Sequence, residues 1–130
     1  MGIVNFSVPE IQTEYLRSNL NLDVFVEGGT FRGNTAKNMS LKFKKVYTIE
    51  KSNAMFNIAR ENLKNIPNVD IIKGDTRENL QKIIENNDNI LFGNTDCGKK
   101  KRNCVGVSSN EAIFSFLMGW GVMLSMCYFF

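Results

Sequence analysis

Apolar and polar positions in residues 1–92 follow two alternating periods. Four short apolar runs read as buried strands: Asp23-Val24-Phe25-Val26, Val46-Tyr47-Thr48-Ile49, Val69 to Lys73, and Ile90-Leu91-Phe92. Helical patterns lie before and between them. Ser7-Val8-Pro9-Glu10 has the form of a capping box with proline in the first turn, predicting a helix that runs to Leu20. Asn34 to Leu41 reads as a second helix, with Ala36 and Met39 to Leu41 near one face. Ser52 is suited to cap a third through Ile66, which Pro67 ends; Met55, Ile58, Ala59, Leu63 and Ile66 fall at helical spacing. Thr76 is suited to cap a fourth through Asn86, with Leu80, Ile83 and Ile84 inward.

Strands alternating with helices call for parallel βαβ units with right-handed crossovers and helices on both faces. The expected fold is α/β, a Rossmann-like doubly wound parallel sheet, incomplete because four strands are recognisable. Any ligand belongs at the carboxyl ends of the strands, near the switch point in strand order. From Gly93 the rhythm stops. The chain therefore divides into a half-domain over 1–92 and a divergent tail over 93–130, a polar loop (93–111) followed by an apolar segment (112–130).

The residues after each strand are the specific ones. Glu27-Gly28-Gly29-Thr30-Phe31-Arg32-Gly33-Asn34-Thr35 is an E-x-G-x-x-x-G pattern opening directly into a helix. Gly29 and Gly33 permit a sharp turn that brings backbone N–H groups against a ligand. Glu50 ends the second strand, where a carboxylate can accept from both hydroxyls of a ribose. Gly74-Asp75-Thr76 follows the third, and Asp75 is placed to accept from an exocyclic amine such as that of adenine. Each feature also has a plain structural reading. The glycines can make a turn and nothing more, Glu50 can be a solvated neighbour of Lys51, and Asp75 can cap the helix starting at Thr76.

Charge and composition narrow the chemistry. Residues 1–92 are nearly balanced, with 12 Lys/Arg against 11 Asp/Glu, while Lys99-Lys100-Lys101-Arg102 forms one basic run in the tail. No aromatics interleave with that run, so it reads as a solvated loop and no nucleic-acid partner is expected. The chain has no histidine, which removes imidazole base catalysis and His-ligated metals; no metal site is expected. Cys97, Cys104 and Cys127 match neither zinc nor redox-pair spacing and read as free thiols in a reducing compartment. The start of the sequence shows no signal-peptide pattern, and a cytoplasmic location is the expectation.

Glu27 to Thr35, Glu50 and Gly74-Asp75 resemble motifs I, II and III of class I S-adenosylmethionine (SAM)-dependent methyltransferases. The wording is similar to a bacterial subfamily acting on small molecules or glycans, in which a strand ending in glutamate leads into a segment like Gly29 to Ala36. The resemblance covers residues 20–92. It implies SAM as cofactor and methyl transfer to a small-molecule or glycan acceptor. It also implies a cofactor site of Glu27, Gly29, Thr30, Phe31, Gly33, Asn34, Thr35, Glu50, Asp75 and Thr76. Within it, Gly29 to Gly33 would line the methionine and ribose, Glu27 would lie near the methionine amino group, Glu50 would hold the ribose and Asp75 the adenine amine. The fourth strand departs from the pattern. Those relatives carry an acidic segment there, whereas Ile90-Leu91-Phe92 leads into Gly93-Asn94-Thr95-Asp96-Cys97-Gly98, and no catalytic base is assigned.

Three readings of the tail stand side by side. It is an unnatural continuation such as a frameshift or a truncated gene model, a membrane anchor, or one further buried element of a minimal domain. Ala112 to Phe130 holds no charged residue, and the eighteen residues from Ile113 would span about 27 Å as a helix. Two rival functions also remain: a nicotinamide-dinucleotide oxidoreductase, which would want G-x-G-x-x-G, and a non-enzymatic or degenerate nucleotide-binding domain anchored to a membrane. An uncovered sheet edge in so short an α/β unit makes oligomerisation an expectation.

Overall fold

In the computed structural model, which describes residues 10–93 and 104–107, one parallel sheet carries helices on both faces. The elements are α1 (Glu10–Leu20), β1 (Val24–Gly28), α2 (Asn34–Ser40), β2 (Lys45–Glu50), α3 (Asn53–Leu63), β3 (Val69–Lys73), α4 (Thr76–Asn86), β4 (Ile90–Gly93) and β5 (Cys104–Val107). Strand order is β3-β2-β1-β4-β5, every neighbouring pair parallel. The expected α/β doubly wound architecture is therefore present.

The order of strands dictates which face each helix covers. From β1 the chain steps outward to β2 and β3, so right-handed crossovers place α2 and α3 on one face. It then jumps back past β1 to β4, and the reversed direction puts α4 on the other face. The core divides accordingly. Leu16, Ala36, Met39, Phe43, Ala59 and Leu63 pack with Phe25, Val46 and Leu91 on the first face. Leu80, Ile83 and Ile84 pack with Val24, Val26, Ile49, Ile90 and Phe92 on the second. Strand side chains alternate between faces, which is why neighbours such as Phe25 and Val26 belong to different clusters.

Several boundaries differ from the expected ones. Leu41, read as near the inner face of its helix, is 86% exposed. The helix stops at Ser40, and Phe43 takes the buried place instead, its ring 5.4 Å from that of Phe25. Ile58 is likewise mostly outside the core. The third helix ends at Leu63 rather than Ile66, and a single turn bond from Ile66 N–H to the Leu63 carbonyl follows. Pro67 disfavours helical backbone at the residue before it, which shortens the helix from its far end. The first two strands are longer than their apolar runs because they continue into Glu27 and Glu50, whose polarity hid them.

A fifth strand, Cys104–Val107, lies within the stretch read as a polar loop. Cys104-Val105-Gly106-Val107 is uncharged but short and glycine-containing, too weak a pattern to stand out. Its backbone pairs with Ile90 to Gly93, occupying hydrogen-bonding groups that β4 would otherwise leave open. The capping-box residues Ser7 to Pro9, the basic run from Lys99 to Arg102 and the apolar segment 112–130 lie outside the described residues. Among the described residues no helix is long and apolar enough to cross a membrane.

Candidate functional site at the carboxyl edge of the sheet

Strand order reverses at β1, with α2 following β1 on one face and α4 preceding β4 on the other, so the switch point at which open α/β sheets take their ligands falls at the carboxyl ends of these two strands. The polar residues gather beside that point because two apolar columns change character as they reach the edge. On β1, Phe25 is followed two residues later by Glu27. On β2, Val46 is followed by Thr48 and then Glu50. Residues of one parity share a face, so Glu27, Thr48 and Glu50 all lie on the side of α2 and α3, and Glu27 is in register with Thr48.

Glu27 is 3% exposed. Its Oε1 accepts from the Thr48 hydroxyl at 2.8 Å, and its carboxylate also accepts from the Ala36 backbone N–H. The Thr48 hydroxyl is 2.6 Å from that of Thr30, so a chain of three buried side chains runs from the β1–α2 loop into the sheet. Burial pushes the Glu27 carboxyl up to about 7; the two hydrogen bonds only partly oppose this, and the charge of Glu50 adds to it.

Glu50 is 8% exposed, not the solvated neighbour of Lys51 that the plain reading allowed. Its two oxygens accept from different loops. Oε2 takes the Phe31 N–H at 2.9 Å and Oε1 takes the Ser52 N–H at 2.8 Å. One carboxylate thus ties the β1–α2 loop to the turn that opens α3. Each oxygen keeps a further lone pair for a hydroxyl donor.

The β1–α2 loop is built by left-handed backbone at Gly29 (φ +86°), Phe31 (φ +52°) and Gly33 (φ +83°). A side chain on Gly29 would meet nothing within 4 Å, so the loop presents open space there. Gly33 is different, since a Cβ would lie 2.9 Å from Leu63 Cδ1. The first glycine serves the loop's path and leaves room beside it, while the second also lets α2 approach α3. Loop amides expected to face a ligand are largely used within the protein. Gly29 N–H and Thr30 N–H donate to the Ile49 carbonyl, Gly33 N–H to the Thr30 carbonyl, and Phe31 N–H to Glu50. Phe31 itself is 59% exposed with the Arg32 guanidinium over its ring at 5.6 Å. Asn34 and Thr35 form the first turn of α2, for which Gly33 supplies no side-chain cap.

Asp75 adopts the plain reading in full. It is the N-cap of α4, accepting from Arg77 N–H at 2.9 Å, and its carboxylate pairs with Lys51 at 3.1 Å and with Arg77 Nε at 3.4 Å. The backbone bond from Arg77, then the Arg77 side chain and Lys51, hold its carboxyl well below the usual carboxylate range. Thr76 begins α4 beside it. Lys51 thereby links the turn after β2 to the turn after β3, and Lys73 adds a contact to the Lys51 carbonyl. Thr48, Ser52, Lys51 and Arg77 are site residues that sequence reasoning missed. Thr48 was legible in principle, as the polar residue between Val46 and Glu50 on the same face; the other three depend on loop geometry. Among the described residues no group of metal-ligating side chains comes together.

No family model and no curated protein matches the chain. Solved structures do. An O-methyltransferase from Bacillus cereus, in complex with S-adenosylhomocysteine (SAH), is 20% identical with a TM-score of 0.52, over 78% of this chain and 58% of that one. A protein assigned as a caffeoyl-CoA O-methyltransferase from Staphylococcus aureus is 19% identical with a TM-score of 0.56, over 83% and 59%. An rRNA methylase from Streptococcus thermophilus is 14% identical with a TM-score of 0.54, over 85% and 78%. The likeness at such identities is one of fold alone, a Rossmann-like parallel α/β sheet that this chain shares with these methyltransferases. The chain spans little more than half the length of the O-methyltransferases it matches. With an rRNA methylase among its structural neighbours, the expectation that nucleic acid plays no part is not supported.

Proposed function

We propose that this chain is the cofactor-binding part of a SAM-dependent methyltransferase. The observation that carries the reading is the junction of three separate sequence features at one edge. Glu50 joins the E-x-G-x-x-x-G loop through Phe31, while Glu27 lies buried behind that loop and Lys51 reaches Asp75 on the third. The residues fit the group. Gly29 leaves open space, Glu50 keeps lone pairs for two ribose hydroxyls, and Glu27 is a buried carboxylate paired with no cation among the described residues. Asp75 fits less simply. To take an adenine amine it would share a carboxylate already accepting from Arg77 and Lys51.

When bound, SAM supplies an activated methyl group, and the protein's task is to hold donor and acceptor in line. Of the chain's own groups, Glu50 would orient the ribose and Gly29 to Gly33 would flank the methionine. Glu27 would meet the amino group. No described residue stands out as a general base, so an acceptor needing deprotonation would draw that group from elsewhere. A small molecule or glycan is our reading of the acceptor. RNA is the second reading, favoured by the neighbouring rRNA methylase.

Calorimetric titration of the purified chain with SAH tests the proposal. Saturable micromolar binding, not displaced by NADH, is the expected result. A chain shown to be folded that ignores SAH but takes NADH would instead favour the dinucleotide reading.

A further inference from the structure

Glu27 is the one described carboxyl group whose surroundings are inconsistent with a settled negative charge. It is 3% exposed and has no ion-pair partner among the described residues. Its neighbours are neutral on every packed side: the Thr48 hydroxyl on β2, the Ala36 N–H on α2, the Thr30 hydroxyl behind Thr48, and Gly93 in register on β4. The titratable group that reaches it is another acid, Glu50. Of the cations on the turns of this edge, Lys51 and Arg77 pair with Asp75, and Arg32 lies over the Phe31 ring. Two hydrogen bonds from neutral donors are a poor substitute for water around a carboxylate, and an adjacent like charge worsens the balance.

We infer that a ligand bearing a primary ammonium group enters this site in exchange for a proton on Glu27, the free protein holding the carboxyl neutral and the complex holding it ionised. The inference rests on the cofactor reading above and adds its regulation by pH. The balance is simple: the carboxyl O–H bond breaks, the proton goes to solvent, and the ammonium keeps all its protons and becomes the missing counter-charge. The Thr48 and Ala36 donors remain in place for both states, so the exchange needs no rearrangement of the sheet. Because burial holds the Glu27 carboxyl near 7 in the free protein, the exchange falls in the neutral range. Affinity for an ammonium-bearing ligand then weakens about tenfold for each pH unit below that value and levels off above it.

The experiment is calorimetric titration of the full chain at pH 6.5, in buffers of different ionisation enthalpy, with two probes. SAH carries the ammonium; 5′-methylthioadenosine keeps the adenosine and sulfur but lacks it. The expected result is release of most of one proton with SAH and none with 5′-methylthioadenosine, and loss of the release in Glu27→Gln, which preserves an acceptor for Thr48. SAH binding with no proton released and an affinity flat from pH 6 to 8 would overturn the inference and leave the cofactor reading standing. Equal release with both probes, or release that persists in Glu27→Gln, would also overturn it, since the proton would come from another group. Failure of a folded chain to bind either probe would remove the cofactor reading and the inference with it.

Discussion

Single residues at this edge do separable jobs. Glu50 accepts from the backbone of two loops and, in the proposed complex, from the ribose as well. Glu50→Ala is expected to weaken SAH binding by about 10- to 100-fold, corresponding to charged hydrogen bonds worth about 1.5–3 kcal/mol, while the sheet still folds. Unchanged affinity in calorimetry would show that Glu50 serves the loops alone. The two loop glycines separate in the same way. Gly33→Ala adds left-handed strain and a Cβ that Leu63 must yield to, and should cost about 1–3 kcal/mol in urea unfolding. Gly29→Ala has space for its methyl group and should cost only the strain, about 1 kcal/mol. Equal losses in the two variants would mean that the contact with Leu63 is slack.

Caps and columns act at the level of elements. Asp75 begins α4 and is therefore both a structural cap and a proposed cofactor contact. Asp75→Asn keeps an oxygen for Arg77 N–H, whereas Asp75→Ala removes it and should cost α4 about 0.5–2 kcal/mol. If Asp75 also binds adenine, Asp75→Asn lowers SAH affinity at nearly unchanged thermal stability. A variant with full stability and full affinity would confine the residue to capping. The strands show the same double use. Apolar residues inside β1 and β2 hold the helices on, and the polar residues ending the same columns, Glu27, Thr48 and Glu50, build the edge. Helix ends were less legible than strands because terminal turns are decided by local contacts. Leu41 lost its place to Phe43, and Ile66 was released by the proline that follows it.

For the molecule as a whole, the buried acid makes stability depend on pH. The Glu27 carboxyl is raised from 4.5 to about 7 in the folded chain, so the folded state binds the proton more tightly than the unfolded state. That contribution to stability is fully present below pH 4.5 and is lost as pH rises through 7; its size is about 3 kcal/mol. Chemical unfolding of the free chain between pH 5 and 8 should show this decline, and Glu27→Gln should flatten it. A parallel slope in wild type and variant would place the titrating group elsewhere. Saturating SAH should flatten the decline between pH 5 and 7, because a bound ammonium compensates the charge and brings the folded carboxyl back toward its unfolded value.

The alternation of apolar runs with helical spacing determined by itself that the chain is α/β with parallel strands, because each period admits one way of burying its residues. It also marked Glu27, Glu50 and Asp75, since a polar residue directly after a buried run must lie at a sheet edge. Tertiary structure alone decided what those residues touch. Sequence separation carries no information on whether Glu50 reaches Phe31 or whether Lys51 reaches Asp75; those contacts depend on loop paths set by positive φ at Gly29, Phe31 and Gly33. Only the sheet could add Cys104–Val107 as a strand, because a short uncharged run becomes one when β4 offers it unpaired backbone. The burial that raises Glu27 belongs to the assembled fold in the same way, since α2, β2 and β4 must all close around a carboxylate before it is short of water.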